Sequence, residues 1–389
     1  MSLIRPDIEA LPDSQILDVW RMQFEVDGPV IGMWAGEPDV PTPAFICDAA
    51  SKALHDGHTF YSHNRGIAPV REALLAYYKR VCNIELTDSR IAITGSGMNA
   101  VMLVAQAMIR LGDNVVAITP SWPNICRAMQ INRAEIREVP LLHGNAGWAL
   151  DVAAVMDACD AHTRVIYLAS PGNPTGFEIE QEDAETLLAF ARARGIAILS
   201  DEVYQRIVYD RPAAFSFLEI ARPDDPLFVV GTFSKAWAMT GWRLGWLVFP
   251  DGLVPQIEKL IQFNTSGAQA FLQYGAAAAL NDGDAFTAEF VARCAAGREI
   301  VNARLGAMRR VHNVPNKGSF YAMFSIEGVK DTLTFCKRAV VEAGIGMAPG
   351  EAFGRGAEGM VRLCFAKSPA LLNEAMDRLE RFIETYDGV

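Results

Sequence analysis

The chain has no Cys-x-x-Cys pair, no block of basic residues and no apolar stretch as long as a membrane span. Its seven cysteines, Cys47, Cys82, Cys126, Cys159, Cys294, Cys336 and Cys364, stand singly. An odd, scattered set argues for reduced thiols in a cytoplasmic protein, against a disulfide framework or a zinc site. Histidine is scarce as well, with six residues. His55, His58 and His63 form the densest group, but no cysteine joins them, so solvated loop histidines are expected and no metal. The longest apolar runs, such as Ala100 to Ile109, reach about half a bilayer span, and Gln106 interrupts this one. Met1 to Asp7 offers no basic segment followed by an apolar one, so no signal peptide is expected. Acidic residues outnumber basic ones by 46 to 35, a net charge of −11. With lysine and arginine dispersed, neither nucleic acid nor an anionic membrane is an expected partner.

What is present is the composition of a globular protein, 51% hydrophobic and 21% charged. At 389 residues, two domains are expected. From about residue 90 to 250 strand and helix signals alternate. Arg90–Thr94, Asn114–Thr119, Arg164–Ala169, Ile196–Ser200, Leu227–Gly231 and Leu244–Phe249 read as strands. Between them, Met98, Val101, Met102, Ala105, Met108 and Ile109 share one helical face, and Leu187 and Leu188 lead another within Glu180 to Arg194. Such alternation predicts an α/β fold with a mostly parallel sheet covered on both faces. After Pro250 long helices take over, with strands expected at Phe320–Phe324 and Val361–Phe365, a helix at Asp331–Ala343, and a terminal helix carrying Leu372, Ala375, Met376, Leu379 and Ile383. This predicts a smaller α/β domain joined to the first by helices around residues 284–311.

One run carries the most chemistry: Gly231-Thr-Phe-Ser-Lys-Ala-Trp-Ala-Met-Thr-Gly-Trp-Arg-Leu-Gly245. Lys235 follows small hydroxyl residues, and Arg243 lies eight residues on. A lysine condenses with an aldehyde, and an arginine grips a phosphate through a fixed fork of donors. Pyridoxal phosphate carries both groups. Other candidates follow strands, where open α/β sheets bind ligands. Thr94-Gly-Ser-Gly-Met98 opens a helix whose N–H groups suit a phosphate, although many strand-to-helix turns are rich in glycine. Asp201 follows a strand; it either caps the next turn or keeps a pyridine nitrogen protonated. Asn173, inside Ser170-Pro-Gly-Asn-Pro-Thr-Gly176, sits in a tight loop and is placed to donate to a phenolate oxygen. Trp122 reads equally as a core aromatic or as a platform under a flat ring.

Together and in this order, these motifs make the chain resemble the class I/II aminotransferases, fold-type I pyridoxal-phosphate enzymes related to aspartate aminotransferase. The likeness runs from Gly36-Glu-Pro-Asp39 to Arg362. It implies a seven-stranded-type, mostly parallel sheet sandwiched by helices. The expected division is an N-terminal arm with part of the small domain (1–45), a large cofactor domain (46–290) and a small C-terminal domain (291–389). By resemblance, Lys235 is the Schiff-base lysine and proton carrier, and Asp201 the partner of the pyridine nitrogen. Tyr204 and Asn173 are similar to the pair that bonds the ring oxygen, and Trp122 to the stacking aromatic. Arg243, Thr232, Ser234 and the N–H groups around Ser96, Gly97 and Met98 match the phosphate cup. Tyr61, in Tyr-Ser-His-Asn-Arg-Gly66, matches a tyrosine that reaches the neighbouring subunit's phosphate, which implies a homodimer. Arg362, in Val-Arg-Leu-Cys-Phe365, matches the clamp on the substrate α-carboxylate, and Gly36 a backbone contact to the same group. Substrate binding, besides these two, is expected to involve Trp122 and Asn173. The family also has cis peptide bonds where Thr119–Pro120 and Asn173–Pro174 stand here.

The activity implied is transamination by a ping-pong mechanism, from an L-amino acid to a 2-oxo acid, with 2-oxoglutarate the expected acceptor. A C–S β-lyase of the same fold shares nearly all these residues. An effector-sensing domain attached to a winged helix is disfavoured, because Gly36 lies near the amino terminus and the chain is acidic. Two departures bear on specificity. Thr232 replaces the usual Ser or Gly and keeps a hydroxyl. Met98 stands where an aspartate-specific subgroup carries a lysine, so the resemblance does not imply aspartate. A neutral or aromatic donor fits at least as well, in a pocket expected to be made apolar by Met33, Trp34 and Trp122, and the sequence leaves the donor open.

Overall fold

The computed structural model describes residues 3–387; the first two residues of the expected arm and the last two of the small domain lie outside that range. A seven-stranded sheet forms its centre. In spatial order the strands are Ile91–Thr94, Gly245–Val248, Leu227–Thr232, Ala197–Asp201, Thr163–Ala169, Asn114–Thr119 and Glu135–Pro140. All run parallel except Gly245–Val248, which is antiparallel to both neighbours. Six of the seven match expected strands to within a residue or two at each end. The edge strand Glu135–Pro140 was not expected.

Both faces of this sheet are dry, and strand periodicity shows how. Ile198, Val116, Ile166 and Val229 belong to one apolar core. Ala197, Leu199, Val115, Val165, Phe228 and Val230 belong to another on the opposite face. Successive side chains point to opposite faces, so a sheet covered on both sides reads as continuous apolar runs. Helix Gly97–Met108 packs Val101, Val104 and Ala105 into one core. Gln181–Arg194 packs Leu187, Leu188 and Ala191 into the other and ends at Gly195, left-handed at φ 63°.

A second, antiparallel sheet has the order Val311–Val314, Tyr321–Ile326, Met360–Cys364, Ala348–Pro349. Helices Asp284–Ala307 and Pro369–Thr385 share its core, which includes Leu305, Phe324, Leu372 and Met376. The N-terminal segment joins this core through a short parallel pairing of Ile31–Gly32 with Ile345–Gly346. The helix expected at Asp331–Ala343 is α-helical over Thr332–Arg338 and widens to a π-turn at Ala339–Ala343. Both expected cis bonds are present, with a third at Ser170–Pro171. No helix among the described residues is long and apolar enough to cross a membrane.

Candidate active site

The carboxyl ends of the parallel strands meet at one edge of the large sheet. Strand Ile91–Thr94 leads into Ser96 and Gly97, Asn114–Thr119 into Trp122, and Thr163–Ala169 into Asn173. Ala197–Asp201 ends on Asp201, and Leu227–Thr232 runs into Ser234 and Lys235. Because Gly245–Val248 is antiparallel, its beginning delivers Arg243 to the same edge. The close packing there needs glycine: a Cβ on Gly245 would lie 2.5 Å from the Gly97 nitrogen. Arg243 itself is left-handed at φ 55°, and its Nη1 donates to the Thr240 carbonyl at 2.7 Å.

A cavity of about 340 Å³ opens at this edge, within the range of small-molecule sites. Gly36, Gly97, Met98, Trp122, Asn173, Asp201, Tyr204, Thr232, Ser234, Lys235, Arg243 and Arg362 all line it, and all were named from sequence. Ser96 does not line it; its hydroxyl caps the helix by accepting from the Asn99 N–H at 3.0 Å. Tyr61 does not line it either. It is 95% exposed, beside Phe60 at 85%, along a separate depression formed with residues 265–271. Met33 is fully buried in the small-sheet core, a correction to the expected apolar wall, whereas its neighbour Trp34 does face the cavity. Sequence reasoning passed over Ile16, Val101, Ile125, Val203 and Tyr321 in the wall. Only the strand-following position of Val203, two residues after Asp201, offered a local signal.

The charges in the cavity are poorly compensated. Burial pushes the Lys235 amine down to about 8. Its Nζ donates to the Gly36 carbonyl at 2.8 Å. Asp201 is 5% exposed, and burial pushes its carboxyl up to about 6, opposed by the Val203 N–H and the Lys235 charge. Arg362, 2% exposed, donates from Nη1 to Asn173 Oδ1 at 3.0 Å and from Nη2 to the Trp34 carbonyl, and its Nε has no partner. Neither Asp201 nor Arg362 has an ion-pair partner among the described residues. Since Asn173 accepts with its oxygen, its amide NH₂ remains free to donate. Thr232 and Ser234 bond each other, Oγ1 to Oγ at 3.0 Å.

A nucleophilic amine, a buried carboxylate, a buried guanidinium and a helix N-terminus therefore share one cavity. Such a set can pair with anionic groups beside an amine able to attack a carbonyl. A family model described as aminotransferase class I and II matches residues 28–379. An aspartate aminotransferase of Pyrococcus horikoshii is 32% identical over 358 residues, 91% of each chain. An aromatic-amino-acid aminotransferase of Thermococcus litoralis is 31% identical over 384 residues, 97% of each chain. An alanine aminotransferase from Pyrococcus furiosus superposes with a TM-score of 0.92 at 25% identity, covering 98% of this chain and all of that one.

Proposed function

Because the chain belongs to the class I and II aminotransferases, pyridoxal-phosphate enzymes that move an amino group between an amino acid and a 2-oxo acid, we propose a role for each residue that lines its cavity. The cofactor needs an amine for its aldehyde, a carboxylate for its ring nitrogen and several donors for its phosphate. The cavity fits those needs: Lys235 is desolvated, Asp201 is buried with no ion-pair partner among the described residues, and Gly97, Thr232, Ser234 and Arg243 all line it. A buried carboxylate left unpaired is costly, and a protonated ring nitrogen is the partner that offsets it.

When bound, pyridoxal phosphate supplies the electron sink that lets the bond from Cα to hydrogen break. Lys235 would hold the cofactor and, once the substrate amine has displaced it, its freed Nζ would take the α-proton; a depressed pKa keeps a usable fraction of the free amine unprotonated near neutral pH. Asp201 holds positive charge on the ring nitrogen. Tyr204 and the Asn173 amide would donate to the ring oxygen, and Trp122 would stack on the ring. Gly97 and Met98 N–H groups, with Thr232, Ser234 and Arg243, hold the phosphate, and Ser96 acts by capping that helix. Arg362 receives the substrate α-carboxylate beside Gly36. The observation that carries this reading is Arg362: a buried guanidinium with an unpartnered Nε, in the same cavity as a desolvated lysine.

The donor is a neutral, apolar amino acid. Ile16, Trp34, Met98, Val101 and Ile125 make much of the remaining wall apolar, and the cations lining the cavity, Lys235, Arg243 and Arg362, all have roles above. The aromatic and alanine aminotransferases among the relatives support this choice; the aspartate aminotransferases oppose it. The acceptor is 2-oxoglutarate. The enzyme works as a homodimer in which Tyr61 reaches the neighbouring site, a reading supported by the exposure of Tyr61, Phe60 and Phe263. Residues 46–290 and 291–389, with the arm 1–45, act as units that close on substrate, since Lys235 and Arg362 come from different sheets. Unpaired cysteines support a cytoplasmic location.

A half-reaction series tests the assignment: cofactor-loaded enzyme is mixed with single amino acids and no oxo acid. Aromatic and aliphatic donors are expected to bleach the visible band and release a stoichiometric 2-oxo acid, while Lys235→Ala forms no such band. Preference for aspartate or glutamate would overturn the donor assignment, and pyruvate with ammonia from cystathionine would restore the lyase. For the dimer, mixing Tyr61→Ala with Lys235→Ala should regain activity, because a hybrid dimer holds one intact site; no recovery on verified subunit exchange rejects the role of Tyr61.

A further inference from the structure

Tyr321 opens the central strand of the small sheet, Tyr321–Ile326. Its hydroxyl lies 2.5 Å from the hydroxyl of Tyr204, which follows a strand of the large sheet. The two residues are sealed from solvent, at 1% and 2% exposure. Their rings meet edge-on, centroids 5.6 Å apart at 78°, and Lys235 Nζ stands 5.7 Å from the centre of the Tyr204 ring. A Cβ on Gly36 would fall 1.7 Å from the Tyr321 oxygen and 3.3 Å from that of Tyr204. Glycine at 36 thus leaves the space that the Tyr321 hydroxyl fills, on the same residue whose carbonyl accepts from Lys235.

The proton count at this contact restricts the roles. A phenol donates once and accepts through its lone pairs. If Tyr204 gives its proton to Tyr321, it has none to offer into the cavity. If Tyr321 donates instead, Tyr204 accepts and keeps its own proton for another partner. The Arg362 guanidinium lies over the Tyr321 ring, 4.6 Å from its centre, and that positive charge favours Tyr321 as the donor. Hydrogen bonds in such a chain polarise one another, so a phenol that accepts one becomes a stronger donor of the next.

We propose that Tyr321 is a positioning residue for the amino-transfer site: its O–H donates to the Tyr204 oxygen and thereby aims the Tyr204 proton at the ring oxygen of the cofactor. The proposal rests on the role given above to Tyr204. It also puts the small sheet in direct contact with the lysine chemistry. Tyr321 and Arg362 stand on adjacent antiparallel strands, with Arg362 opposite Met323, two residues along from Tyr321. A single rigid pair of strands therefore carries both the carboxylate clamp and the outer hydroxyl of the relay.

Tyr321→Phe removes the hydroxyl and keeps the ring beneath Arg362. In the cofactor-loaded enzyme the visible band of the lysine-linked cofactor titrates with pH, and donation to the ionised ring oxygen lowers its midpoint. Tyr321→Phe is expected to raise that midpoint by roughly 0.5 to 1 unit, and Tyr204→Phe by more. In the Tyr204→Phe background the second substitution is expected to add nothing, because the relay is already cut. Half-reaction kinetics should show the rate of the chemical step falling about three- to tenfold, with donor binding within about twofold of wild type. Thermal unfolding verifies that each variant is folded. A wild-type midpoint in Tyr321→Phe overturns the relay. Equal shifts in both backgrounds also overturn it, by assigning the effect to packing. A wild-type midpoint in Tyr204→Phe rejects the role of Tyr204 itself, and the relay with it.

Discussion

Asp225 and Asp201 are carboxylates buried at opposite edges of one sheet, at 2% and 5% exposure. Asp225 precedes strand Leu227–Thr232 at the amino edge. Arg192 clamps it with Nε and Nη2 at 2.6 and 2.7 Å, and the Arg222 N–H adds a third bond at 2.7 Å. Burial raises its carboxyl, but these donors outweigh burial and hold it below the usual range. Asp113, on the same edge, is held low in the same way, burial being outweighed by the Arg110 N–H and by Arg164 at 2.9 Å. Asp201, at the carboxyl edge, has one N–H at 3.2 Å and no cation in bonding range among the described residues. Its carboxyl is pushed up to about 6. At the amino edge Asp225 and Asp113 are paired within the chain; at the carboxyl edge Asp201 is left without an ion-pair partner among the described residues. Burial alone does not mark a functional charge; Asp201 combines burial and a missing ion-pair partner with a place in the cavity wall.

Activity should separate the two edges most widely. Asp201→Asn is expected to slow the half-reaction by about 10²- to 10³-fold, the scale of losing one preorganised electrostatic partner. Asp225→Asn should leave it within about twofold, provided the protein is folded at the assay temperature. Single-turnover rates on both variants check this. Comparable losses at both edges would end the distinction.

Stability without cofactor should separate them with opposite signs. The Asp201 carboxyl is raised from 3.8 to about 6, so between those values the folded protein binds a proton that the unfolded chain releases. Stability therefore falls as pH rises through that window, and above it the full cost applies, about 3 kcal/mol for a shift of this size. Cofactor-free Asp201→Asn should gain up to that amount at pH 7.5 and almost nothing at pH 4. Asp225 is shifted the other way, so its contribution is present above the usual carboxylate range and is lost as pH falls below it. Asp225→Asn should lose about 1–3 kcal/mol at pH 7.5. Urea titrations at both pH values check these signs.

The legible part of the site is the part that follows strands. Lys235, Asp201, Asn173 and Trp122 each sit just beyond an apolar run, and topology alone brings those ends together. Tyr321 was not legible because its place in the site depends on a contact across 117 residues and two sheets. Ile16 reaches the wall from an N-terminal helix with no motif of its own. Met33 and Trp34 show the limit most finely: both join the small-sheet core, yet only Trp34 also lines the cavity, and composition does not say which of the two will. For the fold, strand Glu135–Pro140 was missed because it is a sheet edge. In Glu-Ile-Arg-Glu-Val-Pro only Val139 is buried, so the apolar signal that identified its neighbours is absent. Strands of two residues, such as Ile31–Gly32 and Ala348–Pro349, lie below the length at which any period can be read.

The smallest expected effect sharpens the comparison from the side of the cations. Arg192 and Arg362 both use planar forks, but Arg192 spends its fork on a carboxylate of this chain, whereas Arg362 donates to the neutral oxygens of Asn173 and Trp34. Lysine keeps the charge and loses the fork. Arg362→Lys should therefore weaken donor binding by about tenfold, the equivalent of one charge-assisted hydrogen bond, with a smaller change in the rate at saturating donor. Arg192→Lys should leave both within about twofold and lower stability by about 1 kcal/mol, since Arg192 is partly open to solvent. The informative ligand is a pair of analogues that share a side chain, one with the α-carboxylate and one with an amide in its place. Wild type should prefer the carboxylate, and Arg362→Lys should lose most of that preference while binding the amide nearly as before. If the preference survives in Arg362→Lys and falls in a variant of Arg243, the carboxylate and phosphate ends of the cavity have been assigned in reverse.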